Sequence, residues 1–426
     1  MAVGKRTLDD WLSWLETLSP REIDLGLDRV LEVLGRLALT RPARVVHVAG
    51  TNGKGSCAGM LESLFLARGE RVGCYTSPHM LAYNERIRVN GEPASDASIV
   101  DAFKAVEAVR QAVPLTYFEY GTLAALVVFQ RARAESAVLE IGMGGRLDAV
   151  NAVEPDAGII TNVTLDHCEW LGADIETIAR EKAGIMRPGK PLIFGSKRVP
   201  ATIVSQANRM GADLRVAGRD FRYTRDRVDR GHWRWQGSDI TLEGLAMPSL
   251  YGSVQLANAS ATLAAVEAMR IDDVLHAATV NRAFDDLRLP GRFQWVETSR
   301  QWLLDVAHNA DAARALGDSL AEHGHPGPVT AVIGVLADKD AEGIVGALAP
   351  HVDCWIAVRP ASERAVDPAE LAGVIANRSD KPCLIMQTPA DALQHADAHA
   401  SRDTLVLVTG SFYTVGPALE WLQSQR

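Results

Sequence analysis

The chain has 426 residues, 47% hydrophobic and 23% charged, which excludes a disordered or fibrous protein and, beyond the roughly 250–300 residues of a single core, leaves room for two or three domains; two are expected, 1–290 and 291–426, divided at the boundary over 289–293. A net charge of −9 gives no global field for a polyanion, so nucleic acid is excluded as a partner and anionic ligands must be held by local groups. No window approaches the roughly 18 apolar residues of a membrane span, the N-terminus lacks the apolar core of a signal peptide, and the five cysteines are scattered, so a reduced, cytoplasmic protein with no membrane contact is expected.

Residues 7–18 have helical spacing and carry Trp11 and Trp14, which read as core; a loop over 20–26 precedes a second helix, 27–39. Val45, Val46 and Val48 form a nearly continuous apolar run, as a strand buried in a parallel sheet does, and Gly50-Thr51-Asn52-Gly53-Lys54-Gly55-Ser56 follows directly. From Cys57 an amphipathic helix runs through Met60, Leu61, Leu64 and Phe65 to Gly69. Strand, glycine loop and helix together make an anion cradle. The glycines let backbone N–H groups turn inward, the helix N-terminus adds partial positive charge, Lys54 can reach terminal phosphates, and Ser56 can ligate magnesium. An extra glycine, Gly55, departs from the common spacing G-x-x-x-x-G-K-[ST]. The bland alternative is a tight turn with a surface lysine; the flanking strand and helix favour a nucleoside triphosphate.

Residues 71–76 read as the second strand of a βαβ unit, with Ser77-Pro78-His79 at its C-terminal end, where ligands of open α/β sheets collect. A helix is expected over 95–111, and residues 114–120 lead into another over 121–133; by periodicity alone Phe118 and Tyr120 read as packing residues. A buried strand over 137–140 ends on Glu140 before a second glycine-rich loop, 142–148. An acid sharing a sheet edge with Lys54 is well placed to hold phosphate-bound magnesium. The next strand, 157–162, is followed by Thr164-Leu165-Asp166-His167, and the helix 174–183 carries Lys182, which alone reads as a cation at a helix C-terminus. Between 220 and 250, Phe221/Tyr223, Trp233/Trp235 and Ile240/Leu242 alternate at period two, as in a small antiparallel sheet. An alanine-rich helix begins at Gln255-Leu256-Ala257-Asn258, and residues 289–293 mark a boundary. Strands at 302–306, 329–335, 352–358, 383–387 and 405–408 then alternate with helices, with Asp305, His308 and Ser411 just past strand ends.

Taken together, HVAGTNGKGS, YTSPHM, LTYFEYGTLAAL, LEIGMGGRLDAVN, TLDHCEWLG, REKAGI, LPGRFQ, LDVAHN and TGSFYT closely resemble the folylpolyglutamate synthase/dihydrofolate synthase family of the Mur-ligase superfamily, in order along nearly the whole chain. The resemblance implies an α/β protein: an N-terminal P-loop-type ATPase domain with a parallel sheet and a small antiparallel subsheet, then a smaller C-terminal Rossmann-like α/β domain that closes over ATP. It implies an ATP-dependent ligase that adds L-glutamate to dihydropteroate and to reduced folates through an acyl phosphate. It places Asn52, Gly53, Lys54 and Gly55 on the triphosphate with Ser56 completing the loop, and Asn258, Arg292 and Asp305 on the nucleotide. Ser77, Glu140 and His167 become ligands of magnesium, with two ions expected, and Lys182 becomes the lysine carbamylated in the family. Thr116, Tyr117, Phe118, Glu119, Leu147, Asp148 and Ala149 would line a pterin pocket, and His308 and Ser411 would hold the incoming glutamate. Residues 115–123 look like the version in bifunctional members, and the loop 20–27, through Ile23 and Leu25, is the expected cover for the shorter acceptor. A monomer is expected. The alternatives are a monofunctional folylpolyglutamate synthase, a peptidoglycan Mur ligase, or an ATP-driven switch without chemistry.

Overall fold

In the computed structural model, residues 6–19, 23–226 and 231–425 are described. The chain divides into two compact units: Met1–Val163, Leu171–Pro248 and Leu256–Leu287 form the first, and Thr164–Trp170, Ser249–Gln255 and Arg288–Arg426 the second. A single cut at 290/291 does not anticipate the two short segments that group with the second unit. Their partners explain the difference: Asp166 pairs with Lys339, and Tyr251 stacks on Phe293 at 4.8 Å between ring centroids.

The first unit is built on eight strands: β1 (Arg44–Ala49), β2 (Val72–Tyr75), β3 (Ile87–Val89), β4 (Glu92–Pro93), β5 (Ser136–Glu140), β6 (Ala157–Ile160), β7 (Pro191–Phe194) and β8 (Asp213–Val216). Their order is β4-β3-β2-β5-β1-β6-β7-β8, with only β3 and β4 antiparallel to their neighbours. Val45, Val46 and Val48 are fully buried, as the apolar run requires of a central strand. β5 lies between β1 and β2, so the expected βαβ unit skips one strand instead of pairing its two ends. That insertion matters for the site: the register sets Glu140 opposite Val48, at the edge where the glycine loop leaves β1.

Two helices start earlier than their apolar periodicity suggests. The helix after the glycine loop spans Lys54–Ala67, with Gly53 as its N-cap at φ +84°, so Lys54, Gly55 and Ser56 form its first turn. The helix expected from 121 spans Tyr117–Arg131, because Thr116 and Glu119 close a capping box whose polar residues carry no apolar signal. At β6 the opposite happens: the strand expected to reach 162 ends at Ile160, which frees the side chain of Asn162 to accept from the Asn52 N–H at 3.0 Å. The β3–β4 hairpin, with Asn90 and Gly91 both at positive φ, and β8 were not expected from the periodicity. Of the loop expected over 20–27, Pro20, Arg21 and Glu22 lie outside the described residues.

The expected small antiparallel sheet is present as β9 (Arg222–Arg225), β10 (His232–Gln236) and β11 (Thr241–Ala246). Its buried Trp235 donates from the indole N–H to Ser260 O at 3.2 Å, which pins the sheet to the helix Ser253–Ala268 that carries Asn258. The second unit has six strands, β12 (Gln294–Glu297), β13 (Gln301–Leu304), β14 (Val329–Ile333), β15 (Cys354–Ala357), β16 (Cys383–Ile385) and β17 (Leu405–Thr409), in the order β12-β13-β17-β14-β15-β16. All are parallel except β12, an edge strand outside the expected set. No helix among the described residues is long and apolar enough to cross a membrane.

Glu62 on the helix Lys54–Ala67 and Arg88 on β3 form a buried ion pair at 2.7 Å that fixes the helix against the hairpin. Removing one member of such a pair strands the other charge in low dielectric. Glu62→Ala is therefore expected to lower unfolding free energy by about 3–5 kcal/mol in urea titration of the nucleotide-free protein.

Candidate active site

At Gly50 and Gly53 the loop after β1 runs where a side chain does not fit. A Cβ on Gly50 would lie 1.8 Å from Thr161 Oγ1, and one on Gly53 2.5 Å from Asn258 Oδ1, so the backbone is drawn tightly against β6 on one side and the Asn258 helix on the other. Thr161 Oγ1 donates to Asn52 O at 2.6 Å, and Lys54 Nζ donates to Thr51 O at 3.3 Å. Ser56 is buried, and its Oγ meets no hydrogen-bond partner among the described residues. A buried hydroxyl without a partner costs free energy unless a ligand completes it. The loop, Ser56 and Asn258 thus fit a bound triphosphate with its metal.

Glu140 is buried at the end of β5 and accepts from the Ser77 N–H at 3.3 Å, so two of the three expected metal ligands come together in the first unit. Lys182, also buried, donates from Nζ to Gly50 O at 2.9 Å, which joins the last turn of the helix Ile175–Lys182 to the glycine loop. Lys182 does stand in the last turn of its helix, and this contact adds a tie to the glycine loop that the helix-terminal reading did not include. The third expected ligand, His167, belongs to the second unit and stands at φ +51°. Among the described residues, no three His, Cys, Asp or Glu side chains gather into a metal centre.

The residues expected around a pterin divide in two. Thr116 and Glu119 use their polar groups in the capping box, and Glu119 also takes three bonds from Arg29, with Nη2 to Oε1 at 2.9 Å. Phe118 and Asp148 instead converge on the second glycine loop. The Phe118 ring occupies the space beside Gly142, where a Cβ would meet it at 2.6 Å, and Asp148 Oδ2 accepts from the Met143 N–H at 2.9 Å. Tyr117 stands edge-on to Tyr83, Leu147 O accepts from the Gly26 N–H at 3.3 Å, and Ala149 is buried. Burial pushes the Asp148 carboxyl up to about 7, and the N–H groups of Met143, Val150 and Gly142 with the charge of Lys54 bring it only partly back.

In the second unit, Asp305 accepts from the N–H groups of Phe293 and Ala307, each at 2.9 Å, and Arg292 lies over the Phe412 ring at 5.2 Å. Burial raises the Asp305 carboxyl against the pull of Arg292. Ser411 is the N-cap of the helix Phe412–Ser424 and accepts from the Tyr413 N–H at 3.1 Å. His308 holds Val306 O through Nδ1 at 2.8 Å, and its Nε2 lies 3.4 Å from Asp166 Oδ2. Asp166 and Lys339 were not assigned from the sequence. Position offered a signal for both, since Asp166 directly precedes His167 and Lys339 follows the C-terminal end of β14. Burial acts to raise the Asp166 carboxyl, but the bond from His308 and the charges of His167, His308 and Lys339 outweigh it and hold it far below the usual carboxylate range.

The Mur ligase middle domain family matches residues 48–266, and the Mur ligase, glutamate ligase domain family matches 291–412. A protein of Escherichia coli (strain K12), named dihydrofolate synthase/folylpolyglutamate synthase, is 40% identical over 420 residues, 98% of this chain and 96% of that protein. The chain belongs to that family. It is accordingly an ATP-dependent ligase of the Mur type. E. coli FolC in complex with DHPP and ADP superposes with a TM-score of 0.93 at 38% identity, covering 100% of both chains. The bifunctional enzyme of Yersinia pestis, complexed with AMPPNP and Mn ion, gives 0.90 at 38% identity, covering 99% of each. The α/β architecture of both units matches these ligases.

Asp148 makes the stability of this family member depend on pH. With a folded value of about 7 against an ordinary 3.8, the native state keeps a proton there that the unfolded chain has lost, so stability from this group falls as pH rises from about 4 to 7. At about 1.4 kcal/mol per pH unit, that is on the order of 4 kcal/mol. Asp148→Asn is expected to remove this component, so that its stability relative to the unchanged chain rises steadily across the window in urea melts at stepped pH.

Proposed function

We propose that the chain adds L-glutamate to dihydropteroate, forming dihydrofolate, and to reduced folates, forming folylpolyglutamates, in one active site. The γ-phosphoryl group of ATP passes to the acceptor carboxylate, breaking its bond to ADP and forming an acyl phosphate. The amine of glutamate then attacks the acyl carbon, and through a tetrahedral intermediate phosphate leaves and a proton is lost. Such chemistry needs positioning and charge neutralisation and no protein nucleophile.

The observation that carries this reading is the buried, unpartnered Ser56 hydroxyl in the first turn of the helix Lys54–Ala67, on a loop too tight for side chains at Gly50 and Gly53. Asn52, Gly53, Lys54, Gly55 and Ser56 hold the triphosphate, and Asn258, Arg292 and Asp305 hold the rest of the nucleotide. Ser77, Glu140 and His167 hold magnesium as two ions, which when bound neutralises the charge that develops on the phosphates. Phe118 offers its ring to the flat pterin and Asp148 accepts from its N–H groups, with Tyr117, Leu147 and Ala149 around them and the polar groups of Thr116 and Glu119 holding the helix start. His308 and Ser411 hold the incoming glutamate. The two domains, 1–290 and 291–426, close over ATP and keep water from the acyl phosphate. One chain supplies every one of these groups, as a monomer would, and its five cysteines are free thiols, as the cytoplasm would keep them.

Lys182 carries a carbamate, formed when its neutral amine adds to carbon dioxide and loses a proton, which turns a cation beside Gly50 into an anion. Lys182 is buried with Nζ against Gly50 O, and it is the neutral amine that adds to carbon dioxide. Labelled bicarbonate is expected to give a protein-bound carbamate resonance in 13C NMR that is absent from Lys182→Ala, together with loss of ligase activity in that variant; full activity in Lys182→Ala would remove the assignment.

Phosphate release tests the whole reading. Release is expected only when glutamate and an acceptor are both present, with dihydropteroate and with tetrahydrofolate, and Lys54→Ala is expected to lower it at least 100-fold with both while leaving the thermal transition in place. Turnover with one acceptor alone would replace the bifunctional reading by a monofunctional synthase.

A further inference from the structure

We propose that Asp166 is a positioning residue of the ligase reaction: one buried carboxylate that fixes the backbone of His167 and the imidazole of His308 in a single arrangement. This rests on the assignment of His167 to magnesium and His308 to glutamate made above.

Both carboxylate oxygens are taken. Oδ1 accepts from the His167 N–H at 2.8 Å and from Lys339 Nζ, and Oδ2 accepts from Asn309 Nδ2 at 3.2 Å, with His308 Nε2 at 3.4 Å. His167 stands at φ +51°, in the left-handed region that few residues other than glycine adopt and histidine adopts more readily than most. The bond from its own N–H to the preceding carboxylate holds the backbone there. His308 is held at both ring edges, by Val306 O at Nδ1 and by Asp166 at Nε2, so its imidazole plane has one orientation.

The charge is also needed. Lys339 is nearly buried, with 7% of its side chain exposed, and Asp166 is its nearest acid, Asp338 standing farther off at 3.6 Å. Replacing the carboxylate by an amide keeps an acceptor for the His167 N–H but leaves Lys339 with an amide carbonyl in place of its closest anion. The lysine must then shift, and the loop after β14 with it. Asp166 thus joins three loops of the second unit: its own segment, the loop after β13 and the loop after β14. The groups that would meet metal and glutamate are set by one side chain that would touch neither.

The experiment compares Asp166→Asn, Asp166→Glu and His167→Ala in the full chain, reading kcat, the glutamate KM, the magnesium titration, and ADP affinity without added metal. In Asp166→Asn, kcat is expected to fall 10–100-fold, the usual scale for losing a group that orients a metal ligand. The magnesium requirement and the glutamate KM should rise together, ADP affinity should stay within twofold, and Asp166→Glu should recover part of kcat. Magnesium and glutamate constants within twofold of the unchanged chain in Asp166→Asn would overturn the proposal, as would a parallel loss of ADP affinity, which marks a merely structural role. An unchanged magnesium titration in His167→Ala would instead remove the metal assignment on which the proposal rests.

Discussion

The constraint on which the first unit depends is the close approach of the loop after β1 to its neighbours. Gly50 lies against Thr161 and Gly53 against Asn258 at distances that leave no room for a Cβ. With the loop drawn in this far, Lys54 opens the helix directly after Gly53 and its Nζ folds back on Thr51 O. Sheet order does the rest, since β5 and β6 flank β1 and bring an acid, a threonine and an asparagine to the same few ångströms of backbone. The Ser56 hydroxyl is buried in this geometry with no hydrogen-bond partner among the described residues, as suits a group that meets a ligand.

What could be read from the sequence was what depends on local pattern. The apolar run before a glycine loop gave away the central strand, and the period-two aromatics around Trp233 and Trp235 gave away the small sheet. The strands of the second unit were legible because helices alternate with them. Boundaries set by polar side chains were not legible in the same way: Thr116 and Glu119 start a helix by hydrogen bonding, and periodicity does not register that. Strand order was also beyond reach, because β5 enters between β1 and β2 from sixty residues away and nothing in either sequence segment announces it.

The site was legible to the extent that its residues sit in motifs. Ser56, Glu140 and Lys182 were named from sequence, and the structure gathers them or their neighbours around Gly50 and β5. Asp166 and Lys339 escaped because each looks ordinary alone, an acid beside a histidine and a lysine between two acids. Their meaning lies in a contact across more than 170 positions. Glu119 lies within a telling motif, and its carboxylate is taken up by the capping box and by Arg29, a partner ninety positions away that no local pattern announces.

The way the chain is shared between the units carries a consequence for its history and handling. The backbone passes from one unit to the other after Val163, Trp170, Pro248, Gln255 and Leu287, so neither unit is a contiguous gene segment. A fragment begun near residue 290 would hold Lys339 and His308 without the carboxylate they share, and Phe293 without the ring that stacks on it. Recombination that exchanged only the C-terminal third between relatives would have to respect two seven-residue passages upstream of it, Thr164–Trp170 and Ser249–Gln255, so those passages should change in step with the domain they serve.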